Sequence, residues 1–529
     1  MRIAYAIVGS TCLALWISAA ALGQQKPPTA PAPGKGHAAG LGATPEDLLW
    51  RSYVGGRSLP LEERCSLLLS LAQASAPMHS PRARALSKSW SRELFRRASD
   101  LPPSWNRTAF LKNSLETLSA TDPGGAFDLL PRLDAPEGGD VGSLPEDLRA
   151  FAARTVFPRL LDVRGVAALG AIRLEARRIG STGEYPYAAM GIISKRLGER
   201  KHADEVQSIF REALEFYGKG PRVRSSNEEF ISYLEGDWPY LPSPLQDEAL
   251  RVVVAHLTRR EEPDPRFSHI TRIATDRGTI SFHDNRTALL YSVLPKVRQL
   301  DPDWASRLED EYPDLKQPAV GGGEQYSSNM MVVNTTGAPS DQVAAVLSNL
   351  QQWAVLSQLR QEATSDPQQA ANLLSSLSNP GLRSQALASL ATGFATKDPG
   401  RAADLLTGAQ KAADALPAQM SKLRALTALA EAAVALRDLP RAEQAMDEAF
   451  DLGEELLGEE LDVHPGETVY SSEALDELSK DARLGAKIAF PYTAARLDHV
   501  KNEVLQAYLL IAAAEGLQEG AASPASRPK

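Results

Sequence analysis

An aromatic-Pro-Tyr triplet occurs three times in this chain: Tyr185-Pro186-Tyr187, Trp238-Pro239-Tyr240 and Phe490-Pro491-Tyr492. The first two follow Gly and an acid, Gly183-Glu184 and Gly236-Asp237. Flat rings with polar tips suit a peptide or a sugar, so Tyr187, Trp238, Tyr240 and Tyr492 are the candidate ligand-binding residues. Pro in second place predicts a helix start. The alternative role for the outer ring is then a hydrophobic staple that folds back on the first turn and fixes the entry angle. Glycoside hydrolysis needs two carboxylates about 5–10 Å apart, and Glu184 and Asp237 are the pair that the triplets single out.

The common catalytic signatures are absent. There is no Cys-x-x-Cys, His-Glu-x-x-His or Gly-x-Ser-x-Gly, and Gly follows both Gly34-Lys35 and Gly218-Lys219 where a phosphate loop needs Ser or Thr. His269 and His283 fit no ligand spacing, so we expect no metal, no cofactor and no catalytic residue set. Charge is uneven. The stretch Arg441–Asp481 holds 14 acids against 2 bases, whereas Arg82–Lys112 holds 8 bases against 2 acids. Such runs are solvated helix faces, or in the first case a docking surface for a basic partner. The overall balance of 57 basic and 66 acidic residues argues against a general nucleic-acid binder.

The elements that must carry these residues are helices. Apolar residues recur at helical spacing, as in Leu423, Leu426 and Leu429, and alternating strand signals are almost absent. Asp-Pro occurs five times, and in four of them Ala follows Pro at +3 and Leu at +6, starting from Asp122, Asp301, Asp366 and Asp398. Asp caps the free amides, Pro fills the first helical position, Ala permits close approach and Leu fills the core. A repeated helix pair accounts for this unit. Ala402, Leu406 and Ala409, then Ala442, Met446 and Ala449, place small and large residues in a second-helix pattern, with Leu429, Ala430 and Ala433 at first-helix positions. Over residues 365–457 the chain thus resembles the tetratricopeptide repeat family, without that family's aromatic residues, Gly or terminal Pro. The resemblance implies helix hairpins stacked into a solenoid.

The first residues read as an export signal. Met1-Arg2 precedes an uncharged run with Cys12–Ile17 at its centre, and Ala21 and Gly23 stand at −3 and −1 of a cleavage site. Cleavage leaves Cys65 as the sole thiol, expected to be buried and inert. The expected organisation is a signal peptide over 1–23 and a Pro/Ala/Gly-rich spacer over 24–44. A helical block then spans 45–316, a Gly/Ser linker 317–340, a tetratricopeptide-like block 341–519 and a tail 520–529. The fold class expected is all-α, an α-solenoid of stacked antiparallel helix pairs in two blocks. Solenoid surfaces usually bind proteins or peptides. The expected function is therefore a non-enzymatic scaffold of the bacterial periplasm or cell envelope, with no membrane span after cleavage. The alternative is an all-α polysaccharide hydrolase or lyase.

Overall fold

The structure, a computed structural model, describes residues 43–133, 148–219, 224–258, 271–275, 278–282, 285–316, 319–321, 340–463 and 472–522. The signal expectation, the spacer up to residue 42 and the fifth Asp-Pro at Asp264 lie outside the described residues, whereas Thr44, assigned to the spacer, is the N-cap of α1.

In the first block the helices are α1 (Pro45–Gly55), α2 (Leu61–Ser75), α3 (Pro81–Ser99), α4 (Trp105–Thr121), α5 (Pro123–Leu129), α6 (Leu148–Arg164) and α7 (Leu169–Thr182). They continue as α8 (Tyr187–Glu199), α9 (Ala203–Lys219), α10 (Arg224–Asp237), α11 (Ser243–Thr258), α12 (Asn285–Leu300) and α13 (Pro302–Glu311). The second block holds α14 (Ser340–Ser365), α15 (Pro367–Leu373), α16 (Pro380–Phe394), α17 (Pro399–Asp414), α18 (Met420–Ala435), α19 (Leu439–Val463), α20 (Glu473–Asp498) and α21 (Glu503–Ala522).

These helices pack as an all-α solenoid. In one row α2, α4, α6, α8, α10 and α12 each touch the next, and in the second block α14, α16, α18 and α20 do the same. The helices between them lie alongside as a second layer, with α15, α17, α19 and α21 each paired with the row helix before it in sequence. All four Asp-Pro caps form. Asp122 accepts from the Gly125 amide at 3.2 Å, Asp301 from Trp304 at 2.9 Å, Asp366 from Gln368 and Gln369 at 3.1 Å, and Asp398 from Arg401 at 3.1 Å. The alanines one turn in, Ala126, Ala305, Ala370 and Ala402, are fully buried. The leucine assignment needs correction. Leu308 is buried, but Leu129 and Leu405 are only partly so, and the fully buried side chains are the next residues, Leu130 and Leu406. They stand four positions after the alanine, the spacing that stacks side chains on one helix face.

A small antiparallel sheet departs from the helical reading. β1 (Thr271–Thr275) pairs with β2 (Gly278–Phe282), which pairs with β3 (Ala319–Gly321), and Ile273 stands opposite Ile280. Both runs alternate around these residues, a signal too short to stand out against the helical periodicity on either side. Of the segment read as a Gly/Ser linker, 317–340, β3 occupies 319–321 and Ser340 begins α14; the rest lies outside the described residues.

The described residues fall within one compact unit. The two blocks are joined through their outer ends, because α1 and α2 pack on α21. Ser52 Oγ donates to the Ala507 carbonyl at 2.7 Å in the buried seam, Tyr508 Oη donates to Glu63 Oε1 at 2.9 Å, and Arg51 pairs with Asp498. One apolar core runs from Leu48 through this seam to Ala514, and a separate cluster around Leu356, Leu359 and Leu390 sits under α14–α16.

Candidate functional site

The three triplets fold in three different ways. Tyr185-Pro186-Tyr187 starts α8 as expected, and both rings are 3% exposed. Tyr185 stacks on Phe216 with ring centroids 4.7 Å apart, and Tyr187 lies edge-on to Phe230 at 5.3 Å. Tyr185 is thus packed within an aromatic core against α9, and Tyr187 has no surface to offer a ligand. Burial pushes both phenols well above their usual range.

Trp238-Pro239-Tyr240 differs from expectation, since it ends α10 in a single 3₁₀ turn instead of starting a helix. The Leu241 amide closes that turn on the Trp238 carbonyl, which also accepts from Gln246 Nε2 at 2.9 Å. Both rings are half-buried, with Lys296 Nζ 5.7 Å from the Trp238 ring. Tyr240 lies against Gly198 of α8, where a Cβ atom would come within 2.6 Å of the ring. Phe490-Pro491-Tyr492 sits at a kink in α20, where Ala489 leaves helical geometry (φ −146°, ψ 62°) and Pro491 restarts the helix. Half-buried Tyr492 donates to the Glu443 carbonyl at 3.0 Å, and burial with a hydrogen bond to Asp447 raises its pKa. The three triplets lie at different places, at the start of α8, after α10 and within α20.

The acid pair does not form an open catalytic cleft. Asp237 is 0% exposed and accepts from Ser194 Oγ at 2.5 Å. Burial pushes its carboxyl up to about 7, with the Ser194 bond opposing. Glu184 is half-buried in the turn before α8. Among the described residues no group of three or more His, Cys, Asp or Glu side chains is placed to hold a metal ion. Cys65 is buried, and burial pushes its thiol up to about 12, the inert state expected.

Four acids of the acidic stretch are paired with cations. Arg496 pairs with Asp447 and Asp451, Lys480 with Glu477 at 2.8 Å, and Arg424 with Glu473 at 2.6 Å, while Glu454 accepts the Lys501 amide at 3.0 Å. The basic stretch is answered likewise: Lys88 and Arg92 hold Asp122, and Arg82 holds Asp47.

Sequence reasoning missed a small cleft on the row of the second block. Trp353 on α14, Asn379, Leu382 and Gln385 at α16, and Ser421 and Arg424 on α18 line a cavity of ≈ 160 Å³. Trp353 is 38% exposed, and the Arg424 guanidinium stands 5.5 Å from its ring centroid. Gln352 ties α14 to the start of α16, accepting the Ser378 and Asn379 amides at 3.0 and 2.8 Å. Buried Gln385 accepts from Arg360 at 2.8 Å. Beyond the cleft, burial raises the Glu431 pKa, while Lys480 and Arg360 lower it. The signal available in the sequence was Trp353 itself, the one aromatic residue between 341 and 393, flanked by Gln351 and Gln352. An indole face, a guanidinium, amides and a hydroxyl recognise groups by stacking and hydrogen bonding, and the cleft holds no nucleophile with an adjacent base. Small-molecule pockets span roughly 300–1,000 Å³; this one is the size for a single side chain.

No family model matches the chain, and no curated protein matches it. Among solved structures, it is similar to a circular tandem repeat protein with novel repeat topology and enhanced subunit contact surfaces. That match covers 90% of this chain and 91% of the other at 14% identity, with a TM-score of 0.20. A likeness at that score adds nothing to the helical repeat seen directly in the packing.

Proposed function

We propose that this chain is an exported, non-enzymatic scaffold that binds a protein or peptide along the exposed face of its second helical row, α14–α16–α18–α20. The observation that carries this reading is the Trp353–Arg424 cleft, which fits one inserted side chain and offers stacking and hydrogen-bond donors. Trp and Arg are residue types enriched at binding hot spots, and Trp353 is exposed. Tetratricopeptide-like packing over 365–457 supports a peptide-binding row: Ala402, Leu406, Ala409, Ala442, Met446 and Ala449 are all buried at the positions that pattern requires. Export rests on the charge-free run after Arg2 and on Ala21 and Gly23. Among the described residues no helix is long and apolar enough to cross a membrane. Asp237, 0% exposed, offers the polysaccharide-cleaving alternative no accessible acid while the turn is closed.

A photo-crosslinking amino acid at Trp353 in the producing host tests the binding reading, with the same probe at Leu174, an exposed residue of the first block, as control. A discrete adduct at 353 and none at 174, lost on Arg424→Glu, is the expected result. Equal adducts at both positions, or none at 353, would remove the cleft from the partner interface. N-terminal sequencing of the mature protein should begin at or near Gln24.

A further inference from the structure

The Trp238–Tyr240 turn follows directly on an acid that has no counter-charge. Asp237, the last residue of α10, is 0% exposed. Its Oδ2 accepts from Ser194 on α8 and its Oδ1 has no partner, while Tyr233, one turn earlier and 3% exposed, has its hydroxyl near the same Ser194. The charged groups of the neighbouring elements are committed elsewhere. Glu212 of α9 takes Arg173 at 3.0 Å and Arg177 at 2.6 Å; Lys296 of α12 pairs with Glu235 at 3.5 Å; Tyr185, from the turn before α8, is an uncharged phenol. Among the described residues no cation pairs with Asp237. The rings of Phe210 and Tyr233, 5.5 Å apart, help make the surroundings a poor solvent for an anion.

We propose that Asp237 is a proton-controlled latch: protonated, it holds the Trp238–Pro239–Tyr240 turn shut, and ionised, it releases that turn and frees the Trp238 and Tyr240 rings. A neutral carboxyl is tolerated in such apolar surroundings. An ionised one must reach water. The turn is what yields, because it joins Asp237 directly and is tied down by few bonds, the Gln246 contact at 2.9 Å and a Gln207 contact to the Tyr240 carbonyl at 3.5 Å. Motion there would lift Tyr240 off Gly198. The latch does not depend on the cleft at Trp353, and it gives the one half-buried triplet of the first block a conditional exposure.

The sign follows from linkage. In the open turn Asp237 ionises at the ordinary carboxylate value of 3.8, and in the closed turn only near 7. Opening therefore becomes about tenfold easier for each pH unit between those values, and levels off above them. Hydrogen exchange read by mass spectrometry on the full chain tests this, following amides 236–243 from about pH 4 to about pH 9 and correcting for intrinsic exchange. The expected result is an opening equilibrium that rises roughly a thousandfold and reaches its plateau near pH 7. Asp237→Asn should flatten it. Ser194→Ala should carry the rise to higher pH, because the bond that favours the ionised form is gone. An opening equilibrium independent of pH, or a dependence that survives in Asp237→Asn, overturns the latch. Should the Asn variant fail to fold, an unchanged plateau in Ser194→Ala overturns it instead.

Discussion

Replacing Tyr185 by Ala and by Phe separates its two contributions. The ring is 3% exposed and stacked on Phe216 at 4.7 Å, so Tyr185→Ala empties a packed site. Large aromatic deletions of this kind cost roughly 3–5 kcal/mol. The hydroxyl is different, since it is buried and has no hydrogen-bond partner. Leaving such a group unmade costs about 1–3 kcal/mol, and Tyr185→Phe removes it while keeping the ring. We therefore expect Phe to be neutral or stabilising by about 1 kcal/mol and Ala to destabilise severely. Urea unfolding of the three proteins gives the answer, read from the midpoint with the slope as a check for a changed unfolded state. A loss above about 1 kcal/mol for Tyr185→Phe would refute the reasoning, because it would mean that the hydroxyl is bonded. A small loss for Ala would refute the packed aromatic site.

Two further outcomes follow from the caps and buried acids. Asp398→Ala should destabilise by about 0.5–2 kcal/mol in the same urea assay, with Asp398→Asn close to wild type; equal losses would point to charge instead of capping. Asp481 is 0% exposed, and burial raises its pKa well above 3.8 despite the bond from Thr427 Oγ1 at 3.0 Å. The folded form then holds the proton more tightly than the unfolded one. Stability falls as pH rises from about 4 through the folded value, and Asp481→Asn should raise the midpoint at neutral pH while weakening that slope.

The helices and their starts were legible because they are local. Asp-Pro at 122, 301, 366 and 398 fixes a cap and a first turn by its own chemistry, and all four formed. The Trp238 triplet misled for a tertiary reason: its Pro suits the second position of a 3₁₀ turn as well as a helix start, and the choice depends on Gly198 and Gln246, remote in sequence. The charge of 441–481 was legible only as a total, since Arg424 and Arg496, which pair with Glu473, Asp447 and Asp451, lie outside that stretch. The cleft was invisible because its lining comes from three helices, and a lone Trp at the edge of an apolar stripe reads as core. The seam between α1 and α21 joins the two ends of the sequence, a pairing that no periodicity announces.

That seam carries the claim that the chain works as one body, and a single cut tests it. A protease site inserted within 322–339 of the full chain severs the covalent link between the blocks and leaves the Ser52–Ala507 and Tyr508–Glu63 bonds in place. After cleavage, size-exclusion chromatography at micromolar concentration should show both fragments eluting together at the position of the intact 57.1 kDa chain. Leu49→Ala, which removes a fully buried side chain of α1, should weaken that association. Two separate folded peaks from the cut wild-type protein would contradict the account, and would leave the two blocks as independent domains on a tether.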